Sequence, residues 1–151
     1  MRKVSTLTLK EAKKILDRIE NEAQTDGDIP VAAAVVGSDA RLIAFIAMDG
    51  VKTVGIRLAA DKAYTAVIGT RDTIECQERA EKTAGFNISN YTDRHFTGIV
   101  GGVVLKDSDG NIVGGVGVSG RNPTKKGMPR DTTSQDHELA LFARDVAGLF
   151  S

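Results

Sequence analysis

Two histidines, two tyrosines and one cysteine are the side chains of this chain best suited to ligate an iron or a soft metal. His95 stands in a loop beside Phe96. His137 lies about 180° from the Leu139, Phe142 and Val146 stripe at 100° per residue, so it is expected to face solvent. Tyr64, Tyr91 and Cys76 are the remaining candidates, and a cysteine stays inert unless something lowers its pKa. Glu75 and Glu78, with Glu81 a step further, are spaced so that two carboxylates on one helix face can approach a cation. Arg79 and Lys82 stand close enough to neutralise them, as on an ordinary solvated helix. Arg121, Lys125, Lys126 and Arg130 form a cationic stretch suited to carboxylates, which Arg meets bidentately. No nucleophile elbow, phosphate-binding loop, zinc spacing or dinucleotide fingerprint occurs, so classical hydrolase, kinase and dehydrogenase readings have no support.

The elements that must position these residues follow from pattern. Thr8 and Glu11 make a capping box ahead of a helix over about Leu9 to Ala23, with Leu9, Ala12, Ile15, Leu16, Ile19 and Ala23 on one face. After the loop at Thr25 to Asp28, the β-branched run Val31 to Val36 reads as a central strand. A turn at Gly37-Ser38-Asp39 leads into a second strand, Leu42 to Met48. A second helix from about Val54 carries Ile56, Ala59, Ala60, Ala63 and Val67, with Lys62 bordering its buried face. Thr73 to Thr83 is charged and helical, and Gly85 to Arg94 is irregular. Val103 to Lys106 and Ile112 to Ser119 form a hairpin around Asp107-Ser108-Asp109-Gly110. A loop from Gly120 to Ser134 precedes a last helix from about Gln135. The order helix-strand-strand-helix-strand-strand-helix predicts an α+β fold, an antiparallel sheet with helices on its covered face.

With 151 residues, the whole chain, 1–151, is expected to be a single domain. Its 20 basic and 20 acidic residues balance, so no strongly basic stripe suggests nucleic acid. A lone cysteine and the opening Met1-Arg2-Lys3-Val4-Ser5, without an apolar segment, lead to an expectation of cytoplasmic residence. No apolar run reaches the roughly 18 residues of a membrane span.

Three segments resemble the GlcG/HbpS family, which includes the C-terminal domain of PduO-type proteins. They are Ala47-Met48-Asp49-Gly50 followed by Asp61-Lys62-Ala63-Tyr64-Thr65-Ala66; Gly101-Gly102-Val103-Val104-Leu105 with Asp109-Gly110 and then Gly114 to Gly120; and Gln135-Asp136 opening the last helix. The chain departs from the family at Val104, where proline is usual, at Val51, where alanine is usual, and in the inserted stretch Arg121 to Thr133. Helix 1 also lacks a histidine.

The resemblance implies a profilin-like or PAS-like antiparallel sheet and a small-ligand-binding protein for haem, another tetrapyrrole or a small carboxylated metabolite. It places Asp49, Lys62 and the glycine turns near one end of the sheet. There a carboxylate, an ammonium and bare N–H groups could orient a polar molecule or shift each other's pKa. Asp49-Gly50 also reads simply as a turn, and Lys62 as a snorkelling stem. The ligand-binding set is then Gly101, Gly102, Arg121, Gln135, Asp136 and His95, with haem propionates among the carboxylates the cations could hold. Glu75 and Glu78 resemble a surface iron-binding motif of haem-binding relatives. The alternative is an enzyme acting on a small organic acid or carbonyl compound, with Lys62 and Asp49 as acid-base groups. Self-association to at least a dimer is expected, through the glycine-rich hairpin Gly101 to Gly120.

Overall fold

A computed structural model describes residues 1–25, 29–121 and 135–146. The elements are α1 (Leu9–Thr25), β1 (Ala32–Gly37), β2 (Leu42–Ala47), α2 (Thr53–Ile68), α3 (Thr73–Lys82), a 3₁₀ turn (Ile88–Tyr91), β3 (Gly102–Lys106), β4 (Ile112–Ser119) and α4 (Gln135–Val146). The strands form one antiparallel sheet in the order β2-β1-β4-β3. The α+β layout and element order are those expected from the sequence.

Local chemistry accounts for the boundaries. The Glu11 N–H donates to Thr8 Oγ1 at 3.1 Å while the Thr8 N–H donates to Glu11 Oε1 at 3.1 Å, closing the capping box. In the β3–β4 turn, Asp107 Oδ1 accepts from the N–H groups of Asp109 and Asn111. At the outer edge of β3, the Thr73 hydroxyl oxygen accepts from Gly101 and Gly102 N–H, and Asp72 Oδ1 accepts from Val104 N–H. The start of α3 thus satisfies backbone groups that an edge strand would leave open.

The helices cover both faces of the sheet, not one. Ala33, Val35, Val103, Leu105, Val116 and Val118 pack with α1 and α4, against Ile15, Leu16, Ile19 and Leu139. Ala32, Ala34 and Val36, the alternate positions of β1, pack with α2 through Ala59, Ala63 and Val67. This double covering explains why all six residues of β1 are buried, a pattern the expectation of one covered face does not produce.

The α2 face is built from backbone. A Cβ on Gly117 would run into the Ala59 carbonyl and lie 2.6 Å from Ala63 N, and one on Gly115 would lie 2.9 Å from the Ala63 carbonyl. Gly102, Gly115 and Gly117 of the β3–β4 hairpin therefore serve the seating of α2, and β4 is an inner strand. That corrects the assignment of the Gly101 to Gly120 hairpin as the mating surface. Two apolar residues counted in helix stripes are also exposed: Leu9, ahead of the first buried turn, and Ile56, in the first turn of α2. No described helix is long and apolar enough to cross a membrane.

Candidate functional site

Lys62 is the largest fully buried side chain among the described residues, 1 % exposed. Three glycines make room for it. A Cβ on Gly102 would collide with the Lys62 carbonyl, one on Gly117 would press on Lys62 Cβ at 3.1 Å, and one on Gly101 would lie 2.9 Å from Nζ. Gly101 also holds φ +133°, a conformation side chains disfavour. Nζ donates to the Val118 carbonyl at 2.9 Å and to Asp136 Oδ2 at 3.3 Å. The other oxygen, Asp136 Oδ1, accepts from Arg121 N–H at 3.2 Å.

Burial dominates the electrostatics of this pair. It pushes the Lys62 ammonium down from its ordinary range, with Asp136 opposing the shift through charge and hydrogen bonding. It likewise pushes the Asp136 carboxyl up, against the opposing pull of Lys62 and the Arg121 N–H. Both shifts favour a less charged pair.

The pair lies on the wall of a cleft of about 200 Å³. Val54, Gly55 and Leu58 of α2 form one side, Ile99 and Val100 another, and Ser119-Gly120 a third. Gly55, Leu58 and Lys62 recur along one face of α2, so the cleft runs from the start of that helix to the buried amine. No side chain caps the first turn of α2, and Lys52 stands at its threshold. A helix start without a side-chain cap, beside a cation, favours an anion.

The structure distributes the sequence-derived candidates as follows. Lys62, Asp136 and Arg121 line the cleft, Gly101 and Gly102 back Lys62, and Gln135 opens α4 half-buried beside Asp136. The Arg121 guanidinium donates to the Ile29 and Ala23 carbonyls, which ties the end of β4 to the end of α1. Lys125, Lys126 and Arg130 lie outside the described residues. Asp49 is exposed in the turn before α2 and makes no side-chain hydrogen bond or ion pair among the described residues. Asp136 stands where Asp49 was expected, because the first turn of α4 delivers its carboxylate directly onto Lys62.

His95 is elsewhere, on the other flank of α2. Its side chain is 52 % exposed, with Nδ1 held 3.2 Å from Asp61 Oδ1. Tyr64 packs edge-on against its ring and donates to Asp93 Oδ2 at 2.6 Å, a bond that raises the phenol's pKa and lowers that of Asp93. His137 is buried at 5 % exposure, correcting the expectation that it faces solvent; its surroundings include Asp72, just ahead of α3, and Arg144. Its Nδ1 has no hydrogen-bond partner among the described residues, and burial pushes its pKa down. Burial pushes the Cys76 thiol up, away from thiolate reactivity. Glu75 and Glu78 are exposed, and no group of three or more His, Cys, Asp or Glu side chains among the described residues could hold a metal.

Leu58, Ile99 and Val100 were not singled out in the sequence. They are ordinary apolar residues, and nothing but tertiary placement brings them together. Gly55 carries the one signal that could have been read, a glycine in the first turn of a helix; a Cβ there would lie 3.5 Å from Gly120 Cα.

Comparisons with known proteins agree with the fold. A family model described as "Haem degrading protein HbpS-like" matches residues 7–143. A 15.0 kDa protein from the dhaT-dhaS intergenic region of Citrobacter freundii is 28% identical over 142 residues, 94% of this chain and 92% of that protein. The crystal structure of Klebsiella pneumoniae protein ORFY superposes with a TM-score of 0.83 at 22% identity, covering 100% of this chain and 97% of that one. The crystal structure of a PduOC:heme complex superposes with a TM-score of 0.80 at 22% identity, covering 96% and 97%.

Proposed function

Since the chain belongs to the HbpS-like family, we propose that it is a small-ligand-binding protein whose cleft takes a small carboxylated metabolite. The observation that carries this reading is Lys62, a buried amine paired with Asp136 on the wall of a small cleft. Burying two such ions costs several kcal/mol each, roughly, before their attraction is counted, and well-packed apolar residues would fill the space at less cost. The ligand's carboxylate would lie toward Lys52 and the first turn of α2, with the apolar walls excluding water. Calorimetric titration with short-chain mono- and dicarboxylates tests the reading. Saturable binding that is lost in Lys62→Met supports it; heats indistinguishable from dilution across the series would end it.

Haem is the second reading, supported by the family's description and by the haem complex of the PduO relative. The cleft itself does not fit a haem. Among the described residues no His, Cys, Tyr or Met lines it, and about 200 Å³ falls below the roughly 300–1,000 Å³ of pockets for larger ligands. His95 is the side chain that favours this reading, since a carboxylate on Nδ1 orients an imidazole for ligation through Nε2. If haem binds, its iron would be held at His95 and its propionates by neighbouring cations. A saturable Soret shift on haemin titration, abolished in His95→Ala, is the expected result; a shift unchanged by that substitution overturns the assignment.

The proposal extends to a cytoplasmic homo-oligomer. With the strand glycines of that hairpin buried, the support moves to edge strand β2, whose outer side is unpaired among the described residues and whose Leu42 and Phe45 are exposed. Light scattering that gives the mass of one chain across a wide concentration range would contradict it.

A further inference from the structure

We infer that the Lys62 amine condenses with the carbonyl carbon of a short-chain oxo acid and holds it in the cleft as an imine. The inference rests on the carboxylate-binding reading above and adds a covalent step to it. Three features of the site support it.

The first is position. Lys62 lies on the wall of the cleft, and its Cα–Cβ bond, like every one in a helix, tilts toward the helix N-terminus, where the carboxylate is expected. Val54, Gly55 and Leu58 line the approach from the helix start to the amine, so an α-oxo acid held at Nζ has its carboxylate facing that end of the cleft. Gly101 keeps the space beside Nζ clear, since a Cβ there would lie 2.9 Å from it.

The second is the partner. An ammonium has three N–H donors, and Nζ finds two acceptors among the described residues, the Val118 carbonyl and Asp136 Oδ2, leaving one position for a ligand. Asp136 is close enough to take a proton directly and is fixed by the Arg121 N–H on its other oxygen. The third is the apolar surround, which favours the uncharged amine that nucleophilic attack requires.

The step balances within the site. Asp136 takes one proton from the Lys62 ammonium, leaving a neutral amine whose lone pair forms the N–C bond as the carbonyl π pair moves to oxygen. A proton passes from nitrogen to that oxygen, giving a carbinolamine. Asp136 then returns its proton to the hydroxyl, the C–O bond breaks, and water leaves. The product is a protonated imine on Lys62 beside an ionised Asp136, with no oxidant or reductant consumed.

The test is reductive trapping on the full chain, with glyoxylate or pyruvate as the carbonyl and cyanoborohydride as the reductant, mapped by peptide mass. Lys62 is expected to label at least about tenfold faster than the exposed Lys10 and Lys13, and excess glycolate, an unreactive hydroxy acid, should suppress it. In Asp136→Asn, labelling at Lys62 should slow by about a hundredfold, as expected when a positioned acid-base group is lost; an unchanged rate would remove the proton-transfer role. Labelling confined to exposed lysines, while glycolate still binds calorimetrically, overturns the imine and leaves the binding reading intact. Absence of both labelling and binding overturns the two together.

Discussion

The two faces of the sheet are built on different principles. Toward α1 and α4 the sheet presents Val35, Val103, Leu105, Val116 and Val118, and the helices answer with Ile15, Leu16, Ile19 and Leu139. Toward α2 the same strands present Gly102, Gly115 and Gly117, and the helix answers with alanines and its own backbone. The first face holds the fold by apolar burial, worth about 1.5–3 kcal/mol for each fully buried aliphatic side chain. The second brings a helix so close to bare strands that a lysine can be threaded between them and paired with a carboxylate. One face is a conventional core, and the other is a framework around a charged pair.

The sharpest way to break this contrast is to unbalance the pair. Asp136→Ala should cost about 3–5 kcal/mol, because it strands a buried amine, whereas Lys62→Met with Asp136→Leu should recover most of that loss. Urea unfolding of the three proteins measures both effects. A single mutant as stable as the parent would mean that the pair bears no strain of burial.

On the aliphatic face, Ile19→Ala removes a side chain that is fully buried and should cost about 3 kcal/mol, with the helix order retained. On the glycine face the opposite change is the damaging one. Gly115→Ala adds a single methyl 2.9 Å from the Ala63 carbonyl and should cost about 1–3 kcal/mol by lifting α2. Denaturation midpoints compare them, and a neutral Gly115→Ala would show that α2 is not seated on backbone.

The smallest expected effect is a pH dependence at His137, where α4 meets α3. Burial lowers its pKa below 6.5, so between the folded value and 6.5 the unfolded chain binds more protons. Its contribution is therefore complete above pH 6.5 and lost as pH falls toward the folded value. His137→Gln should flatten that part of the stability profile, read by urea midpoints at successive pH values.

Much of this architecture was legible from short-range pattern. The Thr8–Glu11 box and the Asp107 turn each rest on contacts within a few residues and formed as expected, and the apolar run of β1 formed its strand although half of its pairing is with distant β4. Long-range placement was not legible. Helical counting put Lys62 at the border of a buried face, but only the glycines of two distant strands decide that it is swallowed whole. Asp49 looked like its partner because both fell near one end of the sheet. Asp136, which the resemblance had placed in the ligand set, takes that role through the angle at which α4 arrives. His137 escaped for a related reason: the side of α4 opposite its apolar stripe meets Asp72 at the threshold of α3, a neighbour that periodicity within α4 cannot reveal.

Everything proposed for this protein turns on the cleft beside Lys62 receiving a small carboxylate. Amide ¹H–¹⁵N NMR shifts followed during a titration with pyruvate or glycolate test it most directly. The predicted result is a saturable perturbation at Val54, Gly55 and Gly120, absent in Lys62→Met, with His95 and its neighbours unmoved. Shifts that never saturate, or that centre on the Asp61–His95 flank of α2, would contradict it.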